Sequence, residues 1–330
     1  MLPLGVLIPT RNSMQWLERH LEALIPWLHR VQEVVIVDSH SSDGTVEYLH
    51  QHLTGKNIKH FSHPPGLYES WNFGLCQIRS EWAYIATVGD SMPEATIEEL
   101  VAVGLANNSD LVISPPALLS ESGKLLDKQW PIHKYIKWKG VDQAGLMSDF
   151  EVFLWNTLSV PGSLIGSSAS NIYRTEYIQA HPFPEGFRHA CDTAWAVRNS
   201  FDARWALAPG LHSSFLVHPS TNRSPEPVRR QSHERLHELA QDIFGSVSIR
   251  SYPEKSLYTS LLNDYWDAAL CALKANRNYL EIRNCRYPWF LRSAAWRERS
   301  RRIGQARHAD RIRAHILEIL AETNGSAGSS

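Results

Sequence analysis

Two apolar periods alternate through residues 1–115. Residues 5–8 form a short apolar run closed by Pro9, and Val34-Val35-Ile36-Val37 is a continuous β-branched run; both read as strands buried on two faces. Between them Leu17, Leu21, Leu24, Ile25 and Leu28 recur at helical spacing over 14–31, where Pro26 is expected to kink or divide the helix. Helical spacing returns over 43–53, 68–78 and 95–107, and strand-like runs over 58–61, 82–88 and 111–113. Repeated βαβ units of this kind predict an α/β domain with a mostly parallel sheet flanked by helices, and ligands in such sheets sit beyond the carboxyl ends of the strands. Residues 116–220 are less periodic and rich in Trp, Pro and His. The last third reads as helical over 227–244, 254–274 and 311–322. The division expected is a catalytic-type domain at 1–220, a helical region at 221–323 and a small, polar, disordered tail at 324–330.

Composition narrows this picture. With 330 residues, 43% hydrophobic and 10% aromatic, the chain has material for a packed core. No apolar run approaches the ~18 residues of a membrane span. The net charge of -1 conceals an asymmetry: residues 1–220 carry 15 basic and 22 acidic side chains, whereas 221–330 carry 18 and 12. Ten arginines fall within 283–313 against Glu298 and Asp310. Cys76, Cys191, Cys271 and Cys285 form no CxxC, which argues against a disulfide framework or structural zinc. The N-terminus reads as a strand and not as a signal peptide, so a reducing, cytoplasmic setting is expected.

The chemistry-bearing residues interrupt the pattern where strands end: Pro9-Thr10-Arg11-Asn12, then Asp38-Ser39-His40-Ser41-Ser42-Asp43-Gly44-Thr45, then Gly89-Asp90-Ser91. Parallel neighbours would bring all three to one rim, an arrangement suited to a nucleoside diphosphate. A strand-end carboxylate such as Asp38 can accept from a base or ribose. Asp43 either touches the ligand or simply caps the next helix. A diphosphate calls for a hard cation, Mg²⁺ or Mn²⁺, on carboxylate oxygen; Asp90 is a candidate ligand, or an ordinary turn aspartate.

Together Val6-Leu-Ile-Pro-Thr-Arg-Asn12, Val34-Val-Ile-Val-Asp-Ser-His-Ser-Ser-Asp-Gly-Thr45, Trp71-Asn72-Phe73-Gly74 and Trp82-Ala-Tyr-Ile-Ala-Thr-Val-Gly-Asp-Ser-Met-Pro93 resemble the family 2 glycosyltransferases of the GT-A fold. The resemblance spans about residues 3–220. It implies that Pro9, Thr10, Arg11 and Asp38 line the nucleotide pocket and that Asp90 is the metal-binding acid. Asp43, Asn72 and Gly89 lie in the matched motifs and are further donor-binding candidates. The family's Asp-x-Asp is reduced here to Val88-Gly89-Asp90-Ser91. His218 is a candidate for the missing metal ligand, or a satisfied strand-end histidine. In the family an acidic pair opens a helix below the acceptor and its aspartate is the base. Here Cys191 replaces the first acid and Asp192 remains, as base or as a helix N-terminal charge. The reaction implied is inverting transfer of a sugar from a UDP-, GDP- or dTDP-linked donor to a hydroxyl on a glycan or lipid-linked acceptor.

Two rivals come from the same residues. The reduced motifs also suit a sugar-nucleotide-binding protein without turnover. His233-Glu234-Arg235-Leu236-His237 spells the H-E-x-x-H of zinc peptidases, but its polar flanks favour a solvated helix face. The Arg-rich 283–313, with Tyr287, Trp289, Phe290 and Trp296, reads first as a packed appendage. Second comes peripheral contact with an anionic membrane, at the inner membrane surface, and nucleic acid ranks last.

Overall fold

A computed structural model describes residues 1–210, 213–217, 225–284 and 292–327. The chain divides into two compact units, 1–223 and 224–330.

The first unit is built on an eight-stranded sheet in the order β3-β2-β1-β4-β8-β5-β9-β7. Strands β1 (Leu2–Thr10), β2 (Val31–Asp38), β3 (Ile58–Ser62) and β4 (Trp82–Ile85) form its parallel half. In the other half β8 (Ile172–Arg174) runs antiparallel between β4 and β5 (Leu111–Ile113). There β9 (Trp205–Leu207) lies parallel to β5, and β7 (Gly145–Leu146) closes the edge antiparallel. A separate pair joins β6 (Ala117–Leu119) to β10 (Ser214–Leu216).

Alternation explains how β1 serves two layers. Leu4, Val6 and Ile8 share a core with Leu17, Leu21, Leu24 and Leu28 of α1 (Met14–Leu28). On the opposite face Leu7 meets α3 (Leu67–Leu75). That helix packs closely because position 74 is glycine: a Cβ there would lie 2.3 Å from Leu7 Cδ1 and 2.9 Å from Val37 Cγ2. Pro26 does not divide α1. It lies on the solvent-facing side, so the Glu22 carbonyl it leaves without a helical donor faces water. Helix α2 (Thr45–His52) follows β2 and α4 (Glu94–Asn107) follows β4. The middle of the chain adds α5 (Pro131–Lys139), α6 (Asp149–Leu158), α7 (Thr175–Ala180) and α8 (Cys191–Arg198).

The second unit contains α9 (Glu226–Ser246), α10 (Lys255–Asn284) and α11 (Arg292–Ala327). Helix α11 is much longer than its apolar spacing predicts, because Arg, Ala, Gln and Glu sustain a helix without an apolar period. It includes Asn324–Ala327, expected in the tail. The H-E-x-x-H segment is not a solvated face throughout: Ser232, Leu236, His237, Ala240 and Phe244 form the buried stripe of α9. His237 packs 5.9 Å from the Tyr265 ring, and burial lowers its pKa to about 4. Among the described residues no group of three or more His, Cys, Asp or Glu is placed to hold a metal, and no helix is long and apolar enough to cross a membrane.

Candidate active site

The parallel register sets Thr10 opposite Asp38 at the carboxyl ends of β1 and β2. Thr10 Oγ1 donates to Asp38 Oδ1 at 3.0 Å, Ser41 Oγ to the same oxygen at 2.5 Å, and Ser41 N to Oδ2 at 2.8 Å. Further ties lace the loops after β1 and β2. Asn12 N donates to Ser41 Oγ, Ser42 N to Asn12 Oδ1, and Ser13 N to Thr45 Oγ1, all at 2.8–2.9 Å. Asp43 receives Met14 N at 3.0 Å and Thr45 Oγ1 at 2.6 Å, so it satisfies the first free N–H of α1 from the neighbouring loop. Desolvation pushes its carboxyl up, but the bonds from Thr45 and Met14 prevail and leave it below its ordinary value.

Beside this rim lies a cavity of about 320 Å³. Pro9, Thr10, Arg11 and Ser13 form one wall, and Ser39 with Gly66, Leu67 and Ser70 another. Thr87 and Val88 lie at its end. Ser39 Oγ and Ser70 Oγ are 2.7 Å apart. The volume falls within the range of small-ligand pockets. Pro9, Thr10 and Arg11 line this cavity, whereas Asp38, hydrogen-bonded to Thr10, lines a neighbouring cavity of about 320 Å³ with Ile36, His50, His60 and Ser62. Of the serines of the second wall, Ser39 lies in the strand-end segment after β2 and Ser70 in the first turn of α3.

Asn72 has a different place from the one expected. Its Nδ2 donates to the Phe183 carbonyl at 2.9 Å and to Glu185 Oε1 at 3.1 Å, and its Oδ1 accepts from Phe183 N at 3.0 Å. With its amide so occupied, Asn72 clasps α3 to the 183–185 segment and does not line the cavity.

Gly89, at φ +103°, turns the chain after β4 and sends Asp90 inward. The carboxyl of Asp90 is 2% exposed; Oδ1 accepts from Leu216 N at 2.9 Å, and Oδ2 is buried without a hydrogen-bond partner. Burial raises its pKa to about 8, against the bond from Leu216. His20 Nδ1 binds the Asp90 carbonyl at 2.9 Å and Trp27 Nε1 the Met92 carbonyl at 2.9 Å, while Ser91 and Ser214 pair through both backbones. The orphaned Oδ2 fits a divalent cation as a single donor, the remaining positions falling to diphosphate and water. His218, the second candidate, lies outside the described residues.

Asp192 stands in the first turn of α8, half-buried, with Thr193 N donating to Oδ1 at 2.7 Å. Desolvation raises its carboxyl to about 6, while bonds from Thr193 and the Tyr68 hydroxyl favour the charged form. Cys191 is no substitute acid: its thiol donates to the Arg188 carbonyl at 2.7 Å, and burial pushes it up to about 12. Arg188 itself adopts φ 54°, ψ −121°, an unusual conformation for a non-glycine residue, three residues before the helix.

A mixed sheet with its first four strands parallel, helices on both faces and a cavity at the strand ends is the architecture of the GT-A glycosyltransferases. Residues 5–146 match the model of glycosyl transferase family 2. Among solved structures it is similar to S. aureus TarS residues 1–349 in complex with UDP, at 16% identity and a TM-score of 0.55, covering 93% of this chain and 90% of that one. The same TarS fragment in complex with UDP-GlcNAc matches at 17% identity and a TM-score of 0.54. Against a longer TarS chain (17% identity, TM-score 0.56) the match spans 55% of that chain. No curated protein matches in sequence.

Proposed function

We propose that the protein transfers a sugar from a nucleoside-diphosphate donor to a hydroxyl acceptor with inversion at the anomeric carbon. The observation that carries this reading is Asp192: a carboxyl raised to about 6 at the head of α8 is ionised at neutral pH yet basic enough to take a proton. The acceptor oxygen attacks the anomeric carbon as Asp192 takes its proton. The bond from that carbon to the donor phosphate breaks, and its electron pair leaves with the diphosphate. The cavity between β1 and α3 receives the nucleotide, with Arg11 at its mouth near the phosphates. A divalent cation, Mn²⁺ or Mg²⁺, bound at Asp90 Oδ2 would neutralise charge on the leaving group.

TarS was solved with UDP and UDP-GlcNAc, so UDP-sugars lead the donor candidates, ahead of GDP- and dTDP-sugars. A thermal-shift panel of the three classes, with and without Mn²⁺, tests the reading, since a bound donor raises the melting temperature by mass action. No shift with any donor would reject it. Binding without transfer to any acceptor would favour the sugar-nucleotide-binding alternative.

For the acceptor, a glycan or lipid-linked hydroxyl, α11 is suggestive. Trp296 (65% exposed) and Ile303 are exposed along α11 together with Arg297, Arg299, Arg301, Arg307 and Arg311. Exposed arginines beside an exposed indole suit peripheral contact with the anionic inner surface of a membrane from the cytoplasmic side. Co-sedimentation with phosphatidylglycerol vesicles at low salt, lost when these five arginines become glutamine, is the expected result. Indifference of the intact protein to those vesicles would remove the idea.

A further inference from the structure

Thr10, Ser13, Ser39 and Ser70 all line the cavity between β1 and α3, and the proton of each hydroxyl is committed inside the protein. Ser70 Oγ lies 2.6 Å from the Gly66 carbonyl, which can only accept, so Ser70 is the donor there. His63 Nδ1, 3.4 Å from Ser70 Oγ, stands 2.7 Å from the Pro64 carbonyl and gives its own proton to that oxygen. Ser39 Oγ and Ser70 Oγ are 2.7 Å apart. A hydroxyl has one proton, and that of Ser70 is already placed, so Ser39 is the donor between them. Thr10 donates to Asp38 at 3.0 Å, and Ser13 to the Arg11 carbonyl at 3.2 Å. These four hydroxyls therefore offer a ligand lone pairs only. Among the polar side chains of the wall, Arg11 and, at the β4 end, Thr87 keep protons to give.

We infer that Ser39 is a specificity-determining residue for the donor: its hydroxyl accepts a hydrogen bond from the nucleoside, from the base N–H or from a ribose hydroxyl. The inference rests on the reading that this cavity receives the nucleotide. Phosphate oxygens bring only acceptors, and at Ser39 they would meet lone pairs. The order of strands points the same way. Thr87, whose carbonyl accepts from Asp90 N, follows β4, and β1 separates β4 from β2. Ser39 thus stands two strand spacings, about 10 Å, from the strand that carries the diphosphate end. Ser39 and Ser70 are only 4% and 2% exposed, so a ligand donor there is answered by the protein and not by bulk water. It completes a chain running through Ser39 and Ser70 to the Gly66 carbonyl, in which each bond polarises the next. A ligand acceptor in the same place either opposes two lone pairs or turns the Ser39 proton away from Ser70.

The test is calorimetric titration of the full-length protein with UDP, CDP, 2′-deoxy-UDP and 3′-deoxy-UDP. CDP presents a lone pair where UDP has its base N–H, and each deoxy analogue lacks one ribose donor. Should the thermal-shift panel select guanine or thymine, GDP with ADP, or dTDP with dCDP, take the places of UDP and CDP. Ser39→Ala should weaken UDP about tenfold. One analogue should bind the wild type about tenfold more weakly than UDP and lose nothing further in Ser39→Ala, which names the donor at Ser39 as base or ribose. Ser70→Ala frees the Ser39 proton, while the Gly66 carbonyl keeps the Ser70 N–H at 3.0 Å. In that variant the preference for UDP over the same analogue should shrink to about threefold or less. UDP affinity within about twofold of wild type in Ser39→Ala overturns the inference, as does a loss that adds in full to that of every analogue. A loss seen with UDP-sugars but not with UDP moves the contact to the sugar and overturns it too. Should Ser39→Ala fail to fold, Ser39→Cys, a weaker acceptor of similar shape, must weaken UDP, and no weakening overturns it equally. Binding that ignores Ser39 rejects this inference alone, whereas no binding by any nucleoside diphosphate rejects the donor reading and the inference with it.

Discussion

At the cavity rim the carboxylates of Asp38 and Asp43 are occupied by hydroxyls and backbone amides of the loops they join. Elsewhere in the same unit buried Asp90 and half-buried Asp192 are held with fewer donors, and desolvation raises them to about 8 and about 6. At the rim the polar groups satisfy one another and tie the two loops together. Asp90, with Oδ2 buried and unpartnered, carries unmet electrostatic demand, which in a folded protein costs stability and is tolerated where a ligand or a proton will answer it. Motif matching gives both sets equal standing; hydrogen-bond bookkeeping separates them.

The largest expected effect comes from Asp192 and Asp90. Asp192→Asn keeps the shape and removes the base, so transfer should fall by about 10³-fold while the donor-induced thermal shift persists. Retention of near-wild-type transfer would erase the distinction. Asp90→Asn should reveal its cost to stability. The native carboxyl holds its proton up to about pH 8, whereas the unfolded one releases it near its ordinary value, so the native state binds more protons between these points. Wild-type stability therefore loses up to about 1.4 kcal/mol per pH unit on this account as pH rises. Asparagine escapes that loss and can still accept from Leu216 N. The variant should gain on wild type between pH 5 and pH 7.5 in thermal unfolding, while losing Mn²⁺-dependent donor binding. A constant difference between the two proteins across that range contradicts the assignment.

The second unit offers a contrast of opposite sign. His237 is buried with its pKa lowered from 6.5 to about 4, so its neutral form is favoured on folding. That contribution is present above pH 6.5 and is lost as pH falls toward 4, on the order of 3 kcal/mol in all. His237→Leu should flatten the acid side of the stability curve for α9–α10, read by amide exchange at pH 4.5 and 7. An unchanged slope would show that the histidine opens to water more easily than its packing implies.

Much of this architecture was legible in the chain, for identifiable reasons. The β-branched run of β2 and the period of α1 are local signals, and Thr10 with Asp38 follows from two strands ending together. What escaped is non-local. The role of Asn72 depends on Phe183, 111 residues away, and the burial of Asp90 on Leu216, 126 residues away. The antiparallel insertion of β8 was hidden because three residues, Ile172–Arg174, are too few to show an alternation.

Smaller effects test the rim side of the comparison. Asn72→Ala should lower stability by about 1–3 kcal/mol, since it strands the Phe183 N–H and carbonyl, without changing the affinity for UDP measured on the folded protein. Asp43→Ala removes a cap at the junction of two loops and should cost about 1 kcal/mol. Because Asn12, Ser41, Ser13 and Thr45 still tie those loops together, the cavity should keep its shape and UDP its affinity. Calorimetric titration of Asp43→Ala with UDP is the finest discriminator. A loss of affinity beyond about threefold, which is roughly 0.6 kcal/mol, would mean that Asp43 touches the nucleotide and that the rim is more than scaffold.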